Sequence, residues 1–106
     1  MTATLAETVA ETLEFVERAI ARIEGGESQE VEAHNIRAYL VNTLELVNRD
    51  PGIEAAADDL YAVASAHVSG DRYPGHRREL REALLRLESK LTAARPSEKA
   101  RNMGLE

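Results

Sequence analysis

The chain of 106 residues has no cysteine and no tryptophan, one phenylalanine, three tyrosines and three prolines. Without thiols there is no disulfide frame and no thiolate metal site, and a reducing compartment is the simplest home, so a cytoplasmic location is expected. No apolar run approaches the roughly 18 to 20 residues that a membrane-crossing helix needs. Residues 1–13 also lack the basic and apolar regions of a secretory signal, so a soluble protein with no membrane partner is expected. The aromatic content of 4% provides no interleaved stacking series of the kind that single-strand binders use. The net charge of -6 opposes the phosphate contacts that dominate nucleic-acid affinity, so nucleic acid is not an expected partner.

What the chain does have is charge, unevenly placed, and apolar residues at helical spacing. Residues 1–70 hold 13 of the 19 acidic side chains but only four of the 13 basic ones, which leaves the last third locally basic. Thr4 and Glu7 resemble a capping box, and Leu5, Val9, Leu13, Val16, Ile20 and Ile23 then recur every three or four residues, predicting a helix that stops at Gly25-Gly26. Ser28 is placed to cap a second helix running to about Arg49, with Ala33, Ile36, Leu40, Thr43, Leu44 and Val47 inward and Glu30 and Glu32 in its first turn. Asp50-Pro51 starts a third, with Ile53, Ala57, Leu60, Ala64 and Val68 inward and Gly70 as its stop. Pro74 opens a fourth, with Leu80, Leu84, Leu87 and Leu91 inward.

Short connections make successive helices antiparallel neighbours, so the expected fold is all-α, an up-down-up-down four-helix bundle over residues 1–95 followed by a polar, mobile tail over 96–106. Leu105 and Glu106 have the form of a cloning junction, and no function is assigned to them. In a closed bundle helix 1 lies beside helix 4, which sets Glu24, Glu27, Glu30 and Glu32 at one end with Arg72, Arg77, Arg78 and Arg81. The same logic sets Glu7, Glu11 and Glu14 beside the half of helix 4 that carries Lys90 and Arg95.

Several residues are candidates for chemistry. Arg72, His76, Arg77 and Arg78 crowd a helix start, where free amides and the helix dipole favour anions, so this end is a candidate anion site. His34, His67 and His76 share that end of the bundle and would be the ligands of a metal site there. Because His34 points away from its helix's apolar stripe while His67 and His76 flank theirs, no metal and no cofactor is assigned. No Ser-His-Asp set, glycine-rich phosphate loop or isolated inward carboxylate pair indicates an enzyme. Phe15, Val41 and Leu85 lie off the inward stripes and are candidate interface residues, so a protein partner or self-association is the expected mode of action.

One segment carries a resemblance. Ala33-His34-Asn35-Ile36-Arg37-Ala38 resembles the phosphoacceptor motif of histidine phosphotransfer domains, in which the histidine is followed by an apolar residue at the second position, a basic residue at the third and glycine at the fourth. Ala38 stands at the glycine position. Those domains are four-helix bundles of about this length with the histidine exposed on the second helix. The resemblance therefore implies His34 as phosphoacceptor, Arg37 and Ala38 as phosphoryl or partner contacts, and a receiver domain as partner. The helical wheel independently places His34 on the solvent face.

Overall fold

A computed structural model describes residues 4–68 and 75–105, apart from the side chains of His67, Val68 and His76. Helix α1 (Leu5–Glu24) begins where the Thr4 hydroxyl accepts the Glu7 amide at 3.1 Å, as the capping box requires. It ends in a Schellman turn: Gly26 adopts φ 80°, the Glu27 amide reaches Arg22 O at 2.9 Å and the Gly26 amide reaches Ile23 O at 3.1 Å. Helices α2 (Gln29–Leu44), α3 (Pro51–Val68) and α4 (His76–Ala93) follow, each antiparallel to the one before, and α1 closes against α4. The result is the up-down four-helix bundle that the apolar periodicity predicts, flattened to 43 × 26 × 16 Å.

The core is aliphatic. Val16, Ile20 and Ile23 of α1, Ile36 and Leu40 of α2, Ile53 and Leu60 of α3, and Leu80, Leu84, Leu87 and Leu91 of α4 are buried, as their stripes predict. Leu13 and Leu44 lie only partly covered at its edge. Ala56, Ala57 and Ala64 of α3 and Ala83 of α4 are buried, and such small residues let helix axes approach closely. A polar contact enters the packing, a 2.6 Å hydrogen bond between the hydroxyls of Thr12 on α1 and Thr43 on α2.

Four local expectations are corrected. Helix α2 stops at Leu44 rather than near Arg49, because residues 46–48 leave the helix to pair with residues 95–97: the Asn48 amide donates to Arg95 O at 2.8 Å and the Ser97 amide to Leu46 O at 3.0 Å. Ser28 adopts the left-handed conformation, φ 45°, and makes no side-chain cap. Gln29 instead ties the turn down, its amide nitrogen donating to Ile23 O at 3.0 Å. Glu32 lies in the first turn as expected, but it is buried and paired with Arg22 of α1 at 3.2 Å rather than with an arginine of the fourth helix. Lastly, the segment expected to be a mobile polar tail holds a short helix, α5 (Glu98–Asn102), whose Ala100 is fully buried. A second Schellman turn closes α5, with Gly104 at φ 81° and the Leu105 amide on Ala100 O at 2.8 Å, and it buries Leu105. The expected stop and start at Gly70 and Pro74 lie outside the described residues.

Candidate interaction surface

Helix α2 carries apolar residues on two opposite faces. Ala33, Ile36, Leu40 and Thr43 turn into the core, while Val31, Ala38 and Val41 lie exposed on the outside, with Val31 at 59% and Val41 at 46% accessibility. His34 is exposed and belongs to this outer strip, since residues 31, 34, 38 and 41 repeat at the three- and four-residue spacing of one helical face. It makes no ion pair with Glu30, one turn earlier, among the described residues.

The strip borders a groove between α2 and α3. Leu40, Val41 and Leu44 form one side and Ala57, Asp58 and Tyr61 the other. Arg37 crosses this groove, its guanidinium 5.4 Å from the centre of the Tyr61 ring, a cation–π contact that holds the charge beside the strip. Tyr39, the bulky residue next to Ala38, turns the opposite way. Its ring stacks on Phe15 of α1 with centroids 5.4 Å apart and planes at 27°, and Arg18 sits 6.0 Å from the Phe15 ring. On the helix surface His34 is flanked by Glu30 and Val31 one turn before it and by Arg37 and Ala38 one turn after it, while Tyr39 turns away.

The sequence-derived interface residues do not share a helix. Phe15 is on α1 and half-covered by Tyr39, Val41 is on α2 at the groove, and Leu85 is exposed on α4. Val31 was missed by sequence reasoning because it sits in an acidic first turn. Its signal was present in the three- and four-residue spacing to His34 and Ala38.

The basic cluster is largely committed within the fold. Arg81 binds the Glu24 carboxylate through two nitrogens, which raises its affinity for its proton. Arg77 donates to Glu24 O at 3.1 Å, at the negative end of α1, and Arg78 pairs with Glu82 at 3.0 Å. Arg72 lies outside the described residues, as do the side chains of His67 and His76, so the anion and metal arrangements built on them are not described. Among the described residues no three histidine, cysteine, aspartate or glutamate side chains come together as a metal site would need.

At the other end of the α1–α4 face the expected ion pairs are not formed. Glu14 pairs with Arg18 on its own helix, and the Lys90 amine lies against Gly52 in the first turn of α3. Arg86 likewise turns to α3, pairing with Asp59 at 2.7 Å. On this face Glu17 and Glu88 meet instead, and burial together with the neighbouring Glu17 carboxyl holds Glu88 above the ordinary carboxylate range. No described helix is long and apolar enough to cross a membrane. Set against family models, curated proteins and solved structures, the chain matches none.

Proposed function

We propose that this helical domain acts by binding protein, and that the outward face of α2 is its contact surface. One observation carries the reading: α2 is apolar on two opposite faces, and only one of them is used by the core. Val31, Ala38 and Val41 share the outward face, and Val41 also lines the α2–α3 groove, so the strip runs into a concave surface at that end. A second copy of the chain is the first partner to test. Because the chain has no cysteine, an Ala38→Cys variant carries a single thiol at the centre of the strip. If α2 meets α2 in solution, that variant crosslinks through a short bis-maleimide, and Val31→Glu with Val41→Glu abolishes both the crosslink and any concentration-dependent sedimentation. A chain that stays monomeric and uncrosslinked at millimolar concentration removes self-association and leaves a different protein as the partner.

The exposure of His34 on the same strip favours a second reading, a phosphotransfer module in a phosphorelay. A neutral imidazole nitrogen would attack the phosphorus of an aspartyl phosphate on a docked receiver domain. The new N–P bond replaces the P–O bond, and the aspartate leaves as carboxylate. Ala38 and Val41 would meet the partner, and Arg37 would lie beside the transferred group. Incubation with phosphorylated receiver domains tests this: acid-labile phosphate on the wild type and none on His34→Gln is the expected result, and no transfer to the wild type overturns it.

A further inference from the structure

A second groove lies between the first half of α1 and the end of α4. Leu5, Val9 and Leu13 of α1 and Leu91 of α4 form an apolar slot of about 310 Å³, and Ala94 and Pro96 continue its lining past the end of α4. Among the described residues no charged side chain lines it, and Thr92 is its one polar lining residue. Helical spacing turns Glu7 and Glu11 away from it, Glu11 to the far side of α1. From Leu5 to Leu13 the slot runs about 12 Å, the length of an extended alkyl chain of about ten carbons. Its volume is that of a small-molecule site, which begins at about 300 Å³.

Two arginines stand where the slot meets the C-terminal segment. Arg95 is exposed between the lining residues Ala94 and Pro96, and the Asn48 amide, which donates to Arg95 O at 2.8 Å, fixes its backbone. Arg101 of α5 reaches back to the same segment: its Nη2 donates to Pro96 O at 3.3 Å, which sets the guanidinium against a lining residue. Neither arginine takes part in an ion pair among the described residues, and Glu98 on the same segment pairs with neither. The bond to Pro96 uses one donor of the Arg101 fork and leaves the others for a ligand. At the inner end the next turns carry Glu17 on α1 and Glu88 on α4, so the slot meets cations at its outer end only.

We infer that this slot binds a free medium-chain carboxylic acid, with a tail of about ten carbons lying along α1 and the carboxylate beside Arg95 and Arg101. Charge complementarity selects the head. A carboxylate accepts charge-assisted hydrogen bonds from the guanidiniums, whereas a cationic head would meet two arginines that no acid neutralises. The aliphatic lining selects the tail. The slot shares no residue with the α2 strip, so the inference does not depend on the proposed protein contact.

Three soluble probes separate head from tail. The isotope-labelled chain is titrated with decanoate below its aggregation concentration, with butanoate, and with decyltrimethylammonium. Decanoate is expected to shift the amides of Leu5, Ala10, Leu13 and Thr92, with affinity that falls as salt is added. Butanoate, which has the head without the tail, and decyltrimethylammonium, which has the tail with the opposite charge, should each bind about tenfold more weakly. Arg95→Gln with Arg101→Gln should weaken decanoate about tenfold, equivalent to roughly 1.4 kcal/mol, without weakening decyltrimethylammonium. Ala10→Phe, which fills the slot from an exposed position, should weaken decanoate comparably while leaving the helical circular dichroism unchanged. Equal binding of the two head groups, shifts confined to α2, insensitivity to the arginine pair or to Ala10→Phe, or no shift at millimolar decanoate would each overturn the inference.

Discussion

Single side chains decide how the charge on this surface behaves. Glu88 is the clearest case, because burial and the adjacent Glu17 both disfavour its ionised form, with Arg81 only partly offsetting them. Its carboxyl binds a proton more readily in the folded chain than in the unfolded one, so its ionisation costs stability above the raised value, and that cost disappears as pH falls toward the unfolded carboxylate range. Glu88→Gln is therefore expected to melt at a higher temperature than the wild type at pH 7, with the advantage vanishing near pH 4. Thermal melts across that range measure it. Glu45 has the opposite sign: its hydrogen bond to Lys99 holds it below the ordinary value, so its contribution is present above the unfolded pKa and lost as pH falls through the folded one. Arg37 shows a further residue-scale effect, since its cation lies over Tyr61 rather than free in solvent.

Helix ends and helix faces carry the next level. Both glycine-closed ends, at Gly26 and Gly104, place a residue at positive φ and return a later amide to the final turn, so each stops its helix by backbone geometry. The second matters more, because α5 has only five residues and could not persist alone. It is held by Ala100 and Leu105 underneath, by Ser97, whose hydroxyl donates to Glu45 O at 2.7 Å, and by the Lys99–Glu45 pair. Gly104→Ala forces an alanine into the left-handed region and is expected to cost about 1 to 2 kcal/mol. Hydrogen exchange should then speed up at the amides of Gly104 and Leu105 while the α1 and α4 amides stay protected. Uniform loss of protection would mean that α5 and the bundle unfold as one unit.

Across the whole molecule the stability rests on one aliphatic core enclosed by a charged surface. Leu60 is fully buried, and its replacement by alanine should cost about 2 to 5 kcal/mol. Glu11→Ala, at an exposed position without an ion pair, should change stability by well under 1 kcal/mol, and chemical denaturation of both variants checks the contrast. The molecule also separates its surfaces. The α2–α3 groove and the α1–α4 groove involve different helix pairs.

The helical class, the four apolar stripes and the exposure of His34 were determined by the sequence itself, because burial in a bundle follows a periodicity of three and four residues that each helix carries internally. The Thr4 cap, Asp50, whose carboxylate accepts the Ile53 amide at 2.8 Å, and the glycine stop after α1 were equally local. What only the tertiary structure decided depends on residues far apart in the chain. Leu44 ends α2 because strand-like pairing with residues 95–97 competes for the backbone of 46–48, and no local signal marks that competition. Glu32 is buried because Arg22 of α1 reaches it. Lys90 turns to α3 instead of α1, because α4 has two neighbouring helices and packing selects one. A helical wheel, which records direction from a single axis, contains no information about such choices.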